Sequence, residues 1–116
     1  MTWTLTYTGK KFRPLDPEGN EFCIEDICKG LCSEYRFAGH TEKLISVARH
    51  GVIVSHIVEN LGGSPEVCLQ ALLHDATEAY IKDIPKPIKT ALPEYSKIEE
   101  GLEKAKRDRD LLLMDS

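Results

Sequence analysis

His74, Asp75 and Glu78 stand within five residues of one another in a chain of 116, directly after the apolar stretch Ala71-Leu72-Leu73. On a helix, their offsets of one, three and four residues gather the three side chains around one turn. Burying a carboxylate without a partner is expensive, so polar groups beside a stretch that reads as core need a cation or a hydrogen-bond network. His50 adds a second imidazole upstream, three residues after Val47 and four before Val54, within an apolar helical stripe. A divalent metal bound by imidazole nitrogen and carboxylate oxygen would satisfy His50, His74 and Asp75 together. The alternative is a His–Asp ion-pair network between two helices. A histidine on such a stripe, taken alone, is more often a satisfied core residue.

The elements that must position these groups read as mostly helical. Residues 1–22 form an N-terminal β-hairpin or extended arm: Thr, Tyr and Phe alternate with polar residues from Trp3 to Leu15, around a turn at Gly9-Lys10. Residues 23–116 form the helical core of a single domain, a bundle of about five helices. The spacing of Ile24, Ile27, Cys28, Leu31, Cys32 and Tyr35 marks the first helix face. A second helix, starting at Thr41 or Ser46, ends at Leu61 before Gly62-Gly63. A third starts at Ser64-Pro65-Glu66, with Ser as N-cap and Pro in the first position, and is expected to reach about Ile81. The prolines at 85 and 87 then impose a loop, residues 88–92 form a short turn, and a last helix sets Tyr95, Ile98, Leu102, Ala105 and Leu112 on one side.

Composition excludes several classes. A net charge of −4 argues against a binder of DNA or RNA polymers, which carries a basic surface. With 29% charged residues and no long apolar run, a membrane span is not expected. The start Met1-Thr2-Trp3-Thr4 has no basic and apolar leader pattern, so the protein is expected in the cytoplasm. Cys23, Cys28, Cys32 and Cys68 lack the C-x-x-C spacing of zinc or redox motifs and read as buried small hydrophobes. All four histidines (His40, His50, His56 and His74) precede Asp75, which favours one metal over two. The apolar residues 111–114 at the end of the last helix suggest a homodimer.

Several segments together carry a family resemblance: Ser46-Val47-Ala48-Arg49-His50, Ala71-Leu72-Leu73-His74-Asp75-Ala76-Thr77-Glu78-Ala79-Tyr80, and Lys82-Asp83-Ile84-Pro85-Lys86-Pro87-Ile88-Lys89. With Ile24-Glu25-Asp26-Ile27 and Arg36-Phe37-Ala38-Gly39-His40-Thr41 upstream, the chain to about Leu92 resembles the HD-domain metal-dependent phosphohydrolases. It is most similar to the 5′-deoxynucleotidase-like branch and its phage and prophage relatives. The resemblance implies an all-α HD bundle holding one divalent ion (Mn, Co, Fe, Zn or Mg), with His50, His74 and Asp75 as ligands. Asp108, with Leu111 and Leu112 shortly after it, matches the family's fourth ligand, although a stretch that relatives carry before that Asp is shortened here. Glu78 and Asp83 match acidic residues near the reacting phosphate. Arg36-Phe37 resembles a substrate-contacting Arg-Trp pair, and His40 and Lys86 are further candidates for the phosphate. Gly51 stands where Ser is usual.

The implied activity is hydrolysis of the phosphate of a small nucleotide, with (deoxy)nucleoside 5′-monophosphates the first substrate class. A (deoxy)nucleoside triphosphatase, or a nucleotide- or partner-binding protein with little turnover, are the alternatives. On the deoxynucleotidase reading, Glu78 or Asp83 handles the proton of the leaving alkoxide, and Arg36 with Lys86 or Lys89 neutralises phosphate charge.

Overall fold

The structure, a computed structural model, describes residues 2–82 and 84–114, with side chains described as far as Asp108. The proposed acid Asp83 and the apolar side chains of residues 111–114 lie outside the described residues. Strands β1 (Thr4–Leu5) and β2 (Lys11–Phe12) pair antiparallel, with Thr4 opposite Phe12, and form the expected N-terminal hairpin. Six α-helices follow among the described residues: α1 (Ile24–Cys32), α2 (Val47–Asn60), α3 (Pro65–Leu72), α4 (Glu78–Ile81), α5 (Lys86–Thr90) and α6 (Pro93–Met114). None of them is long and apolar enough to cross a membrane.

The hairpin is fastened to the helices at two points. Thr8 gives its backbone N–H and its hydroxyl to the two carboxylate oxygens of Asp26 on α1, at 2.8 and 3.0 Å. Phe12 stacks on Tyr80 of α4 with ring centroids 4.4 Å apart, and Phe22 meets both rings edge-on. The Asp26 anchor also explains a departure from the sequence reading of α1. With Asp26, Ile27 and Leu31 turned inward, Ile24, Cys28 and Cys32 face solvent, so those two cysteines are not the buried small residues expected of them.

Helices α2 and α3 form an antiparallel pair: α3 starts at the expected cap, and of the two starts left open for α2 the structure takes Ser46. Ser46 accepts from the Arg49 N–H, and Ser64, followed by Pro65, accepts from the Val67 N–H. The pair is close because Gly51 has no Cβ: one built there would lie 2.7 Å from the Leu72 carbonyl oxygen. The Ser55 hydroxyl donates to the Cys68 carbonyl at 3.0 Å and ties the helices a turn further on.

The third helix does not run to Ile81 but stops at Leu72, and a tight turn over residues 73–77 leads into α4. Hydrogen bonds in the turn reach back three residues rather than four: His74 to Ala71, Ala76 to Leu73 and Glu78 to Asp75. The turn carries Ala76 into the core formed by Ile27, Leu31 and Val47. Local tightening of this kind recurs where a sequence is under functional demand. Helix α6 is continuous. It buries Leu102 and Ala105 and packs against the turn at Pro17–Gly19 and against α5.

Candidate metal centre

Two elements bring the first three predicted ligands together. His50 projects from the second turn of α2, while His74 and Asp75 lie in the tight turn after α3. One ligand atom from each can be chosen so that all lie within 4.8 Å of one another, the one such cluster found among the described residues. The imidazoles of His50 and His74 face each other edge-on with centroids 5.3 Å apart.

The local bonding orients His74 for metal binding. Its Nδ1 lies 2.6 Å from the Ala71 carbonyl oxygen, which can only accept, so Nδ1 carries the proton. That leaves Nε2 directed at the Asp75 carboxylate, 3.0 Å away. A carbonyl holding the far ring nitrogen is the arrangement that fixes ligand tautomers in metal sites. Burial pushes the His50 imidazole below its ordinary range; Arg36 and His74 act in the same direction and Asp75 opposes them. The shift favours the neutral imidazole that a metal ion requires. The donor set of two imidazole nitrogens and a carboxylate oxygen suits a divalent transition ion.

Beside the cluster is a cleft of about 120 Å³ lined by Arg36, Phe37, Val47, His50, Asp75 and Glu78. Arg36 and Phe37 reach it through a loop closed at its base: Arg36 N–H donates to the Ile45 carbonyl and Val47 N–H to the Glu34 carbonyl, at 2.9 and 2.8 Å. The loop enters the left-handed region at Phe37 and Ala38, with φ of 55 and 54. Such a conformation costs non-glycine residues about 1–2 kcal/mol each, and strained backbone of this sort clusters at binding sites. The turn leaves the Phe37 ring 65% exposed on the rim, with the Arg36 guanidinium 4.9 Å from its centre. The cleft is of phosphate size, well below the roughly 300 Å³ at which whole-ligand pockets begin, so a larger molecule would extend outward over Phe37.

The other predicted residues fall outside this grouping. His40 and Lys86 are exposed and do not line the cleft. Asp108 is exposed on α6 and is absent from the cluster of possible ligands. Two α6 residues that the sequence does not single out lie nearer. Lys106 is 8% exposed, and its ammonium donates to the Leu73 carbonyl at 2.9 Å, immediately before His74. The Glu103 carboxyl is pushed up by burial and by Glu99, and the nearby Asp75 contributes, against Arg107 and Lys89. In sequence both sit in a run of charge; their one signal is proximity to the buried Leu102 and Ala105.

Comparison with known proteins gives relatives without a stated activity. The chain is 38% identical over 109 residues to the uncharacterized protein YfdR of Escherichia coli strain K12, covering 94% of this chain and 58% of that protein. It is 35% identical over 94 residues to an uncharacterized protein of Rhodobacter capsulatus, covering 78% of this chain and 48% of the relative. The chain therefore spans about half the length of the curated relatives it matches. No protein-family model matches it.

Proposed function

We propose that the chain is an HD-type, metal-dependent phosphohydrolase acting on a small nucleotide, with (deoxy)nucleoside 5′-monophosphates as first substrates. The observation that carries this reading is the convergence of His50, His74 and Asp75 beside a phosphate-sized cleft that also presents Arg36 and Glu78. His50, His74 and Asp75 would hold one divalent ion. When bound, such an ion supplies Lewis acidity toward a phosphoryl oxygen and lowers the pKa of a coordinated water.

The chain's own residues account for the remaining requirements. Arg36 sets a fixed positive charge on the cleft wall, where phosphate charge spreads in the transition state. Glu78, half-buried in the cleft lining, would move a proton to the leaving oxygen, a role in which Asp83 is its alternative. Phe37 on the rim offers a flat apolar surface to the sugar or base.

A second reading, nucleotide binding with little turnover, draws support from the exposed position of Asp108, which leaves three candidate protein ligands among the described residues. One assay separates the readings. The purified chain is loaded with Mn²⁺ or Co²⁺ and given a panel of nucleoside mono- and triphosphates, and both binding and phosphate release are followed. Metal-dependent release from monophosphates is the expected result. Release of a tripolyphosphate unit would make the chain a triphosphatase, and binding without release would leave the second reading.

A further inference from the structure

We infer that the outward face of the α2–α3 pair is a dimer interface that takes a second copy of this chain. Helix α2 has two sides. Val47, His50, Gly51 and Val54 turn inward, whereas positions 49, 52, 53, 56, 57 and 60, spaced by three and four, are all exposed. A solvent-facing helical stripe of this kind is normally polar. Here its centre is Val52, Ile53 and Ile57, 44%, 46% and 53% exposed, and it continues into Leu61 at 83%. Val67 and Leu69 on α3 are each 45% exposed. Three β-branched residues on a water-facing stripe gain no packing and are poorer helix formers than the Lys, Glu or Gln usual there. Burial against a partner accounts for them.

The chemistry of the patch favours a second copy over other occupants. A two-fold interface apposes the same patch on both subunits, so the patch must complement itself. This one is apolar at its centre and carries both signs of charge around it, with Arg49 against Glu59 and Glu66, all exposed. A nucleic acid or an anionic membrane would call for clustered cations, yet residues 47–72 contain one Arg and no Lys. His50 leaves α2 on the other side, so pairing through this face leaves the metal cleft open, and the inference stands independently of the proposed activity.

Sedimentation across a hundredfold range of concentration tests it. Dimer mass that falls toward monomer on dilution is expected, and a monomer throughout overturns the inference. In the double variant Ile53→Glu with Ile57→Glu, association should weaken at least tenfold while helical content is retained. An unweakened dimer of that folded variant overturns the assignment of the face. Should the variant not fold, hydroxyl-radical footprinting of the natural chain decides. Oxidation of Val52, Ile53 and Ile57 should fall several-fold with concentration, relative to Leu5 and Leu15, and an unchanged ratio overturns the inference.

Discussion

Helix α6 and the turn after α3 meet at Leu73, where the Lys106 ammonium reaches across, yet they treat their polar groups in opposite ways. In the turn, the half-buried Asp75 and the neighbouring His74 converge on His50 and line up possible ligand atoms within 4.8 Å. On α6, the inward positions are taken by Leu102, Ala105 and Lys106, and Asp108 is left in solvent. The difference follows from how each region is held. The turn is fixed by short-range hydrogen bonds and by the close approach at Gly51, whereas α6 is a continuous rod whose rotation is set by whichever residues reach the core first. A ligand in the first region is specified locally. A ligand in the second depends on helical phase accumulated over several turns.

The largest effect that can break this comparison is loss of the cluster itself. His74→Ala and Asp75→Ala should each abolish metal uptake, measured by elemental analysis and by the gain in melting temperature on adding Mn²⁺ or Co²⁺. Glu78→Ala should retain the ion and, on the proposed activity, lose turnover by roughly 10²–10⁴-fold, because a proton-transfer group sets rate rather than affinity. Equal loss of metal in all three variants would make Glu78 a ligand.

A smaller effect isolates the positioning. Gly51→Ala directs a methyl group at the Leu72 carbonyl, 2.7 Å from where the new atom would lie, and backbone must move. Overpacking of this sort costs about 1–3 kcal/mol. Because Leu72 leads straight into the turn, metal affinity should fall together with the melting temperature. A variant that melts earlier but binds metal as before would show that the turn holds its ligands without α2. On α1, the Thr8–Asp26 anchor makes a prediction in pH. Burial pushes the Asp26 carboxyl up, but hydrogen bonds from the Thr8 backbone and from the Cys23, Thr6 and Thr8 side chains outweigh it, and the group ends below its ordinary 3.8. A carboxylate depressed in the folded state stabilises above the unfolded value, and that stability is lost as pH falls through the folded one. Thermal stability should therefore drop as the pH is lowered below about 4, and Thr8→Ala should flatten that drop; an unchanged pH profile in the variant would count against the anchor.

These regions also differ in how much of them the sequence discloses. Apolar spacing and caps locate α2 and the start of α3, because Ser46 and Ser64 each act within three residues of themselves. The adjacency of His74 and Asp75 brings the metal cluster within reach of sequence reasoning for the same reason. The end of α3 is not legible: the stretch 71–81 has helical periodicity throughout, whereas the turn packs Ala76 against Ile27, Leu31 and Val47, residues distant in sequence. The exposure of Cys28 and Cys32 is equally hidden, since it depends on Asp26 being drawn to Thr8, eighteen residues away. Lys106 is read as one charge in a solvated run, whereas its place is set by Leu73, thirty-three residues upstream.

The smallest expected effect is at Asp108, and it tests the comparison most directly. Its resemblance to the fourth ligand of HD-domain phosphohydrolases rests on the leucines shortly after it, and a ligand there requires α6 to break near residues 104–107. No helix breaker occurs in that stretch, and α6 runs unbroken to Met114. Six residues separate Asp108 from the fully buried Leu102; at ~100° per residue the Asp lies about 120° around the helix from the buried direction. Phase alone therefore turns it outward. Asp108→Ala should leave metal affinity within about twofold of the natural chain, a difference worth roughly 0.4 kcal/mol, in contrast to complete loss in Asp75→Ala. A loss as severe as that of Asp75→Ala would mean that metal binding itself breaks α6 and draws the carboxylate in. Helical content should then fall by about one turn on metal addition in the natural chain and stay constant in the variant, which circular dichroism can follow.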